Sequence, residues 1–212
     1  MIKFDDVFLS FNGQKVLNSL SLEIGRGDKV VVLGKSGLGK SSLFSLILGF
    51  ISAQKGKVFF DGVSVDGKSV WDVRRRVAFV DQDVSIGSGS VADWLHYVSN
   101  LKANASSGFQ NEKTEKLLDY FELDNGMLEK NVGNLSGGER QRVAIVISIL
   151  LERSVYLLDE VTSALDDDLK EKVMRYFVKR GNWTVVVISH DFVWRKDPSI
   201  KVFDLGVGKW ER

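Results

Sequence analysis

Residues Gly34-Lys35-Ser36-Gly37-Leu38-Gly39-Lys40-Ser41 fit the spacing G-x-x-x-x-G-K-[ST], and Ser42 follows them. Each residue type in that string has a physical task in holding a phosphate. Glycines let backbone N–H groups curl around phosphate oxygens, and a helix starting at the end of the loop adds the positive pole of its dipole. Lys40 has the length and charge to reach the β and γ phosphates, and the Ser41 hydroxyl suits Mg²⁺. The string therefore reads as a nucleoside triphosphate site, provided that a strand precedes it and a helix follows. The metal in such a site needs an acid at the end of a neighbouring buried strand, where open α/β sheets place their ligands. Val155-Tyr156-Leu157-Leu158-Asp159-Glu160 supplies two acids. Asp159 would hold Mg²⁺, and Glu160 would orient and polarise the attacking water. On their own, consecutive acids after a strand would read as a solvated strand end or a helix cap.

The elements that must position these groups can be read from hydrophobic period. Lys29–Leu33 is a continuous apolar run bounded by glycine, the pattern of a strand buried on both faces, and a helix is expected over 40–48. Short alternating segments with turns at Asn12-Gly13 and 25–28 precede it and form a small β layer. A hairpin is expected where 57–60 meets the Asp61-Gly62 turn, and the β layer resumes at Val77–Val80. From 83 to 135 the β-branched runs thin out, with helical period over 91–101 and 111–121 and a polar bridge at 104–108, which together indicate a helical insert. A helix over 139–151, a strand over 155–158, a helix over 169–179, a strand over 184–189 and a terminal strand at Ile200–Asp204 follow. Strands alternating with helices imply a parallel α/β sheet.

A second candidate anion site lies at Leu135-Ser136-Gly137-Gly138-Glu139-Arg140-Gln141-Arg142. Ser136-x-x-Glu139 is a capping box before an apolar helix. A capped helix opening on two glycines also presents N–H groups and a hydroxyl at its positive end. This stretch closely resembles the LSGGQ-type signature of ATP-binding cassette ATPases, and the chain matches that family's elements in order over nearly its whole length. The resemblance implies that Ser136, Gly137, Gly138 and Glu139 of one copy complete the phosphate loop of another in a head-to-tail dimer. It implies that Phe11 stacks on adenine with Val16 beside it, although an aromatic in a small β core is the ordinary alternative. Gln82 matches the glutamine that touches Mg²⁺ and the water, and Asp166 in Ser163-Ala164-Leu165-Asp166 matches the acid of the loop that crosses the dimer interface. Its plain alternative is the cap of the next helix. His190 matches the switch histidine near the γ phosphate. The implied catalytic set is Glu160, His190, Lys40 and Gln82. Residues 34–42 with Phe11 and Val16 would bind ATP, and Ser41, Gln82 and Asp159 would hold Mg²⁺. Two departures blur the subfamily: Val161 follows Glu160, and 140–151 lacks the arginine and alanines common there.

Composition agrees with this chemistry. The 212 residues carry 29 Lys plus Arg against 28 Asp plus Glu, for a net charge of +1. With no cysteine, a disulfide framework, a thiolate nucleophile and Cys-ligated metal are excluded. Near-neutral charge gives no general cationic face for nucleic acid, and Arg74-Arg75-Arg76 reads as a solvated face. The apolar stretches 43–51 and 144–151 fall short of the roughly 18 to 20 residues that span a bilayer. The N-terminus reads MIKFDD, with acids where an export signal needs its apolar region. The expected fold is an α/β, RecA-like P-loop NTPase core with an N-terminal antiparallel β layer and an inserted helical subdomain, divided as 1–82, 83–135 and 136–212. The expected function is the ATPase of an ABC transporter: a cytoplasmic homodimer, or a dimer with a homologous ATPase, peripheral on the inner face of the cell membrane through a multi-span subunit on a separate chain. The Leu157–Asp166 stretch leans toward partners of metal-ion or iron exporters. The alternative is a non-transport cassette ATPase acting on ribosomes or DNA repair complexes.

Overall fold

The computed structural model describes residues 1–84, 87–105, 107–124 and 126–211. Ser106, inside the polar bridge, lies outside the described residues. The chain opens with strands β1 (Ile2–Phe11), β2 (Gln14–Ile24) and β3 (Lys29–Leu33), then helix α1 (Lys40–Ile47). Strands β4 (Lys55–Phe60) and β5 (Val63–Ser64), helix α2 (Val70–Arg76) and strand β6 (Val77–Val80) follow. Helices α3 (Val91–Asn100), α4 (Asn111–Tyr120) and α5 (Gly137–Leu150) lead to β7 (Val155–Asp159), α6 (Asp167–Val178) and β8 (Thr184–Ile188). Helix α7 (Val193–Lys196) and strands β9 (Ile200–Asp204) and β10 (Lys209–Trp210) close it.

Two sheets result. The first is antiparallel in the order β2-β1-β4-β5, and the second runs β10-β9-β3-β8-β7-β6. Within the second, β3 pairs in parallel with both β8 and β9, β7 with both β6 and β8, and only the β10–β9 pair is antiparallel. Successive residues of its strands point to opposite faces, and both faces are buried. Val31, Leu158 and Val187 enter a core shared with α3 to α6. Val32, Leu157 and Ile188 enter the core shared with α1 and the antiparallel sheet. The central strands read as continuous apolar runs because each is covered twice.

Several expectations are corrected. Val77–Val80 does not resume the β layer: β6 pairs in parallel with β7 as an edge of the second sheet. Arg74, Arg75 and Arg76 end α2, a helix too short to show a period; Arg75 is exposed as expected, but the other two are not simply solvated. Arg76 pairs with Asp61, while Arg74 donates to the Leu48 carbonyl at 2.9 Å and lies over the Phe50 and Trp71 rings. Ile200–Asp204 is not the last strand, because β10 folds back on it and sets Trp210 edge-on to Phe203. Among the described residues, no helix is long and apolar enough to cross a membrane.

Candidate active site

The loop between β3 and α1 leaves a helix N-terminus open. Gly39, at the N-cap of α1, has φ of 86°, and neither a side-chain cap nor an acid occupies the first turn. Helices α3 and α5 both carry full capping boxes, and Asp166 caps α6. The α1 terminus therefore keeps its N–H groups and its positive pole available for an external anion. Gly39 is required twice over: its backbone is left-handed, and a Cβ there would stand 2.2 Å from Val16 Cγ1. Val16 is thus the wall on which the loop rests.

A cavity of about 690 Å³ opens over this terminus. It is lined by Phe11, Val16, Ser36, Gly37, Gly39, Lys40, Ser41, Ser42, Gln82, Asp159, Glu160 and His190, with Ser163, Ile188 and Asp191 completing the wall. Phe11 is 47% exposed at the rim, so it is not a core aromatic. Gly34, Lys35 and Leu38 do not line the cavity. Gly34 and Lys35 instead turn carbonyls toward Lys40 Nζ, at 2.8 and 3.2 Å, and Leu38 fills the space beside Gly34 and Gly206.

Electrostatics in the cavity are poised rather than neutralised. Lys40 is buried, and its Nζ also lies 3.3 Å from His190 Nε2. The same Nε2 lies 3.6 Å from Glu160 Oε1, so the ring stands between the lysine and the carboxylate. Asp159 ends β7, is 2% exposed, and has its Oδ1 buried without a hydrogen-bond partner. Burial pushes its carboxyl above the ordinary range and the nearby Asp81 adds to this, while a hydrogen bond from Ser41 and the charge of Lys40 oppose it. A buried, unsatisfied carboxylate oxygen beside a serine hydroxyl is a set of hard oxygen donors that fits Mg²⁺. Glu160 sits next in the chain in a left-handed conformation, φ 48°, held by its N–H donating to the Ile188 carbonyl at 2.8 Å. Burial raises its carboxyl as well, against the His190 backbone N–H, which donates to Oε2 at 3.4 Å. Such a backbone strain next to a buried carboxyl is a feature of working sites.

The signature residues lie elsewhere. Ser136 Oγ accepts from the Glu139 N–H at 3.2 Å, and Glu139 Oε2 accepts from the Ser136 N–H at 2.8 Å. Lys130, 2.7 Å from Glu139, and these bonds hold the Glu139 carboxyl down to about 2. Gly138 packs so closely on the following loop that a Cβ would stand 2.9 Å from the Ala164 carbonyl oxygen. Gly137 faces a second cavity of about 430 Å³, shared with Gln82 and Gln141. Asp166 is exposed and caps α6 by accepting from the Leu169 N–H at 2.9 Å. None of these five residues lines the cavity over α1 in its own chain.

Three contributors were not legible in the sequence. Ser163 and Asp191 reach the wall through loops, and Asp191 is itself held by Lys170 at 2.8 Å and by Thr162 at 2.5 Å. Gln141 lies inside the signature stretch, but its contacts are tertiary and leave no local pattern.

Comparison with known proteins agrees with this architecture. The family model described as ABC transporter matches residues 17–163. An ATP-dependent lipid A-core flippase of Haemophilus ducreyi is 31% identical over 196 residues, 89% of this chain and 34% of the flippase. The lactococcin-G-processing and transport ATP-binding protein of Lactococcus lactis is 30% identical over 97% of this chain and 30% of its own length. The chain thus spans about a third of the length of these curated relatives. Among solved structures, a dimeric post-hydrolysis state of the ATP-binding cassette MJ0796 with ADP and Pi is 25% identical, with a TM-score of 0.82 over 100% of this chain and 97% of that one. An Atm1-family ABC exporter with ATP bound shares the fold at a TM-score of 0.85 and 22% identity. The chain belongs to the ABC transporter family and carries that family's ATP-binding ATPase cassette.

Proposed function

We propose that the chain hydrolyses ATP to power transport through a multi-span membrane subunit, and that two copies, or one copy and a homologous ATPase, dimerise head-to-tail to do so. The observation that carries the proposal is the convergence of Lys40, Asp159, Glu160 and His190 on one cavity over the open terminus of α1. Residues 1–82 with 136–212 form the nucleotide-binding core in this reading, and 83–135 the helical subdomain. Phe11 and Val16 border the adenine, and residues 34–42 cradle the phosphates. Lys40 gives up its loop carbonyls for phosphate oxygens. Ser41, Gln82 and Asp159 would hold Mg²⁺, which when bound neutralises phosphate charge. Glu160 accepts a hydrogen bond from the attacking water, its raised carboxyl making it the better base. His190, already between Lys40 and Glu160, is placed to meet the γ phosphate. Catalysis is then mostly positioning and charge stabilisation in a site partly shielded from water.

The partner copy supplies Ser136, Gly137, Gly138, Glu139 and Asp166, which gives the glycine-started end of α5 a role that its own chain's cavity does not use. Relatives named as a lipid A-core flippase and a lactococcin-G-processing and transport protein favour a transport role over one on ribosomes or DNA repair complexes. The membrane subunit then sets the location, at the inner face of the cell membrane. Glu160→Gln is expected to lower ATP turnover on the order of 10²-fold or more while leaving a dimer that forms with ATP and Mg²⁺. Steady-state ATPase assays paired with light scattering test this. A variant that stays monomeric at saturating nucleotide and keeps wild-type turnover rejects the proposal.

A further inference from the structure

We infer that Gln141 is a positioning residue that ties the signature end of α5 to the backbone of Glu160, so that the two move as one body. The inference rests on the role proposed above for Glu160. Gln141 is 6% exposed in the second turn of α5. Its Nε2 donates to the Glu160 carbonyl at 3.3 Å and to Ser163 Oγ at 2.9 Å, and its Oε1 accepts from the Ala164 N–H at 3.1 Å. The two backbone partners fix which end of the amide is which, since a carbonyl can only accept and an N–H only donate. One side chain thereby spans the segment from Glu160 to Ala164 and satisfies three of its polar groups.

The middle of that segment is held separately, by the buried Thr162 bonded to Asp191 and Trp194, so Gln141 ties the two ends of the segment to α5. Glu160 is in a left-handed conformation that a side-chain-bearing residue rarely adopts unless neighbours impose it. The Ile188 carbonyl anchors its N–H, and its own carbonyl accepts from both the Ser163 N–H at 3.1 Å and Gln141, so the peptide groups on both sides of its Cα are fixed. Gly138, one turn earlier on α5, lies against the Ala164 carbonyl with no room for a methyl group between them. The first two turns of α5 and the loop after Glu160 are therefore packed and hydrogen-bonded as a unit. When phosphate from the other copy's ATP meets Gly137 and Gly138, a shift of the α5 terminus is carried through Gln141 to Glu160. Gln141 lines no part of the phosphate cavity and reaches it only by holding Glu160 and Ser163, so it acts by positioning and not by touching nucleotide.

The test is a double-mutant cycle in the full chain, with kcat, KM and ATP affinity measured for Gln141→Leu in the wild-type and Glu160→Gln backgrounds. The expected result is a loss of kcat on the order of tenfold or more, since small misplacements at a reacting centre have effects of that size, with ATP affinity unchanged. In the Glu160→Gln background the same substitution is expected to add no further loss to single-turnover hydrolysis. Wild-type kcat for Gln141→Leu, an equal loss in both backgrounds, or a matching loss of ATP affinity overturns the inference. Should the leucine variant fail to fold, Gln141→Glu carries the same readouts. It keeps the size and the acceptor for Ala164 but loses the donation to Glu160. Wild-type turnover in Glu160→Gln with Gln141 intact rejects the role of Glu160 itself, and the inference falls with it.

Discussion

Asp159 carries a buried carboxylate oxygen with no partner, an arrangement that costs stability until a cation arrives. Its carboxyl is raised by burial, so the folded chain holds that proton more tightly than the unfolded chain does. At neutral pH the charged form therefore opposes folding, and the penalty fades as pH falls through the raised value toward the ordinary carboxylate range. Asp159→Asn is expected to stabilise the nucleotide-free chain at neutral pH. Calorimetry across pH should show that gain shrinking as the solution is acidified, and a gain that grows with acid would contradict the account. The position of Asp159 was legible because an apolar run ending in acids can be read from one sequence. Gln141 and Asp191 were not, since their work depends on loops that approach only in the fold.

Helix termini distinguish the elements. Helix α5 is closed by a capping box whose Glu139 is depressed to about 2 by Lys130 and the Ser136 N–H. Its stabilising contribution is present above the unfolded carboxylate value of 4.5 and lost as pH falls toward 2. Chemical denaturation of Glu139→Gln should accordingly show a deficit against wild type at neutral pH that closes over that window. Helix α1 is the opposite case, kept open by a glycine at its start. Gly39→Ala combines a left-handed backbone with a methyl group driven onto Val16, and a loss of about 1–3 kcal/mol in stability is expected, together with weakened ATP binding measurable by titration calorimetry. Continuous apolar runs were legible to within a residue, since β3, β6 and β9 carry the expected bounds and α1 ends at Ile47 where the pattern ran to Leu48, whereas β1 and β2 are each one long strand where short alternating segments were expected. Helices α2 and α7 and strand β10 were missed because they are short and carry no continuous apolar run that could stand in for a period. They form only because the sheet edges and loops around them are already in place.

At the scale of the whole molecule, the parallel sheet brings the ends of β3, β7 and β8 to one edge, where the phosphate loop, Asp159, Glu160 and His190 meet. The layered α/β architecture was legible from the alternation of strands and helices. The assignment of β6 to the parallel sheet was not, because a short buried strand looks the same in either sheet. Head-to-tail assembly is the central claim, since it alone gives the signature end of α5 a phosphate to bind. Lys40→Ala removes the lysine from a copy's own site, and Gly137→Asp places a carboxylate where that copy would meet its partner's phosphate. Each variant alone should be silent. In a mixed dimer, one site receives an intact Lys40 from one copy and an intact Gly137 from the other. The decisive measurement is ATP turnover by the equimolar mixture of the two variants. Head-to-tail sites require that the mixture regain activity absent from either component, whereas a mixture that forms dimers and remains as inactive as the separate variants contradicts the account.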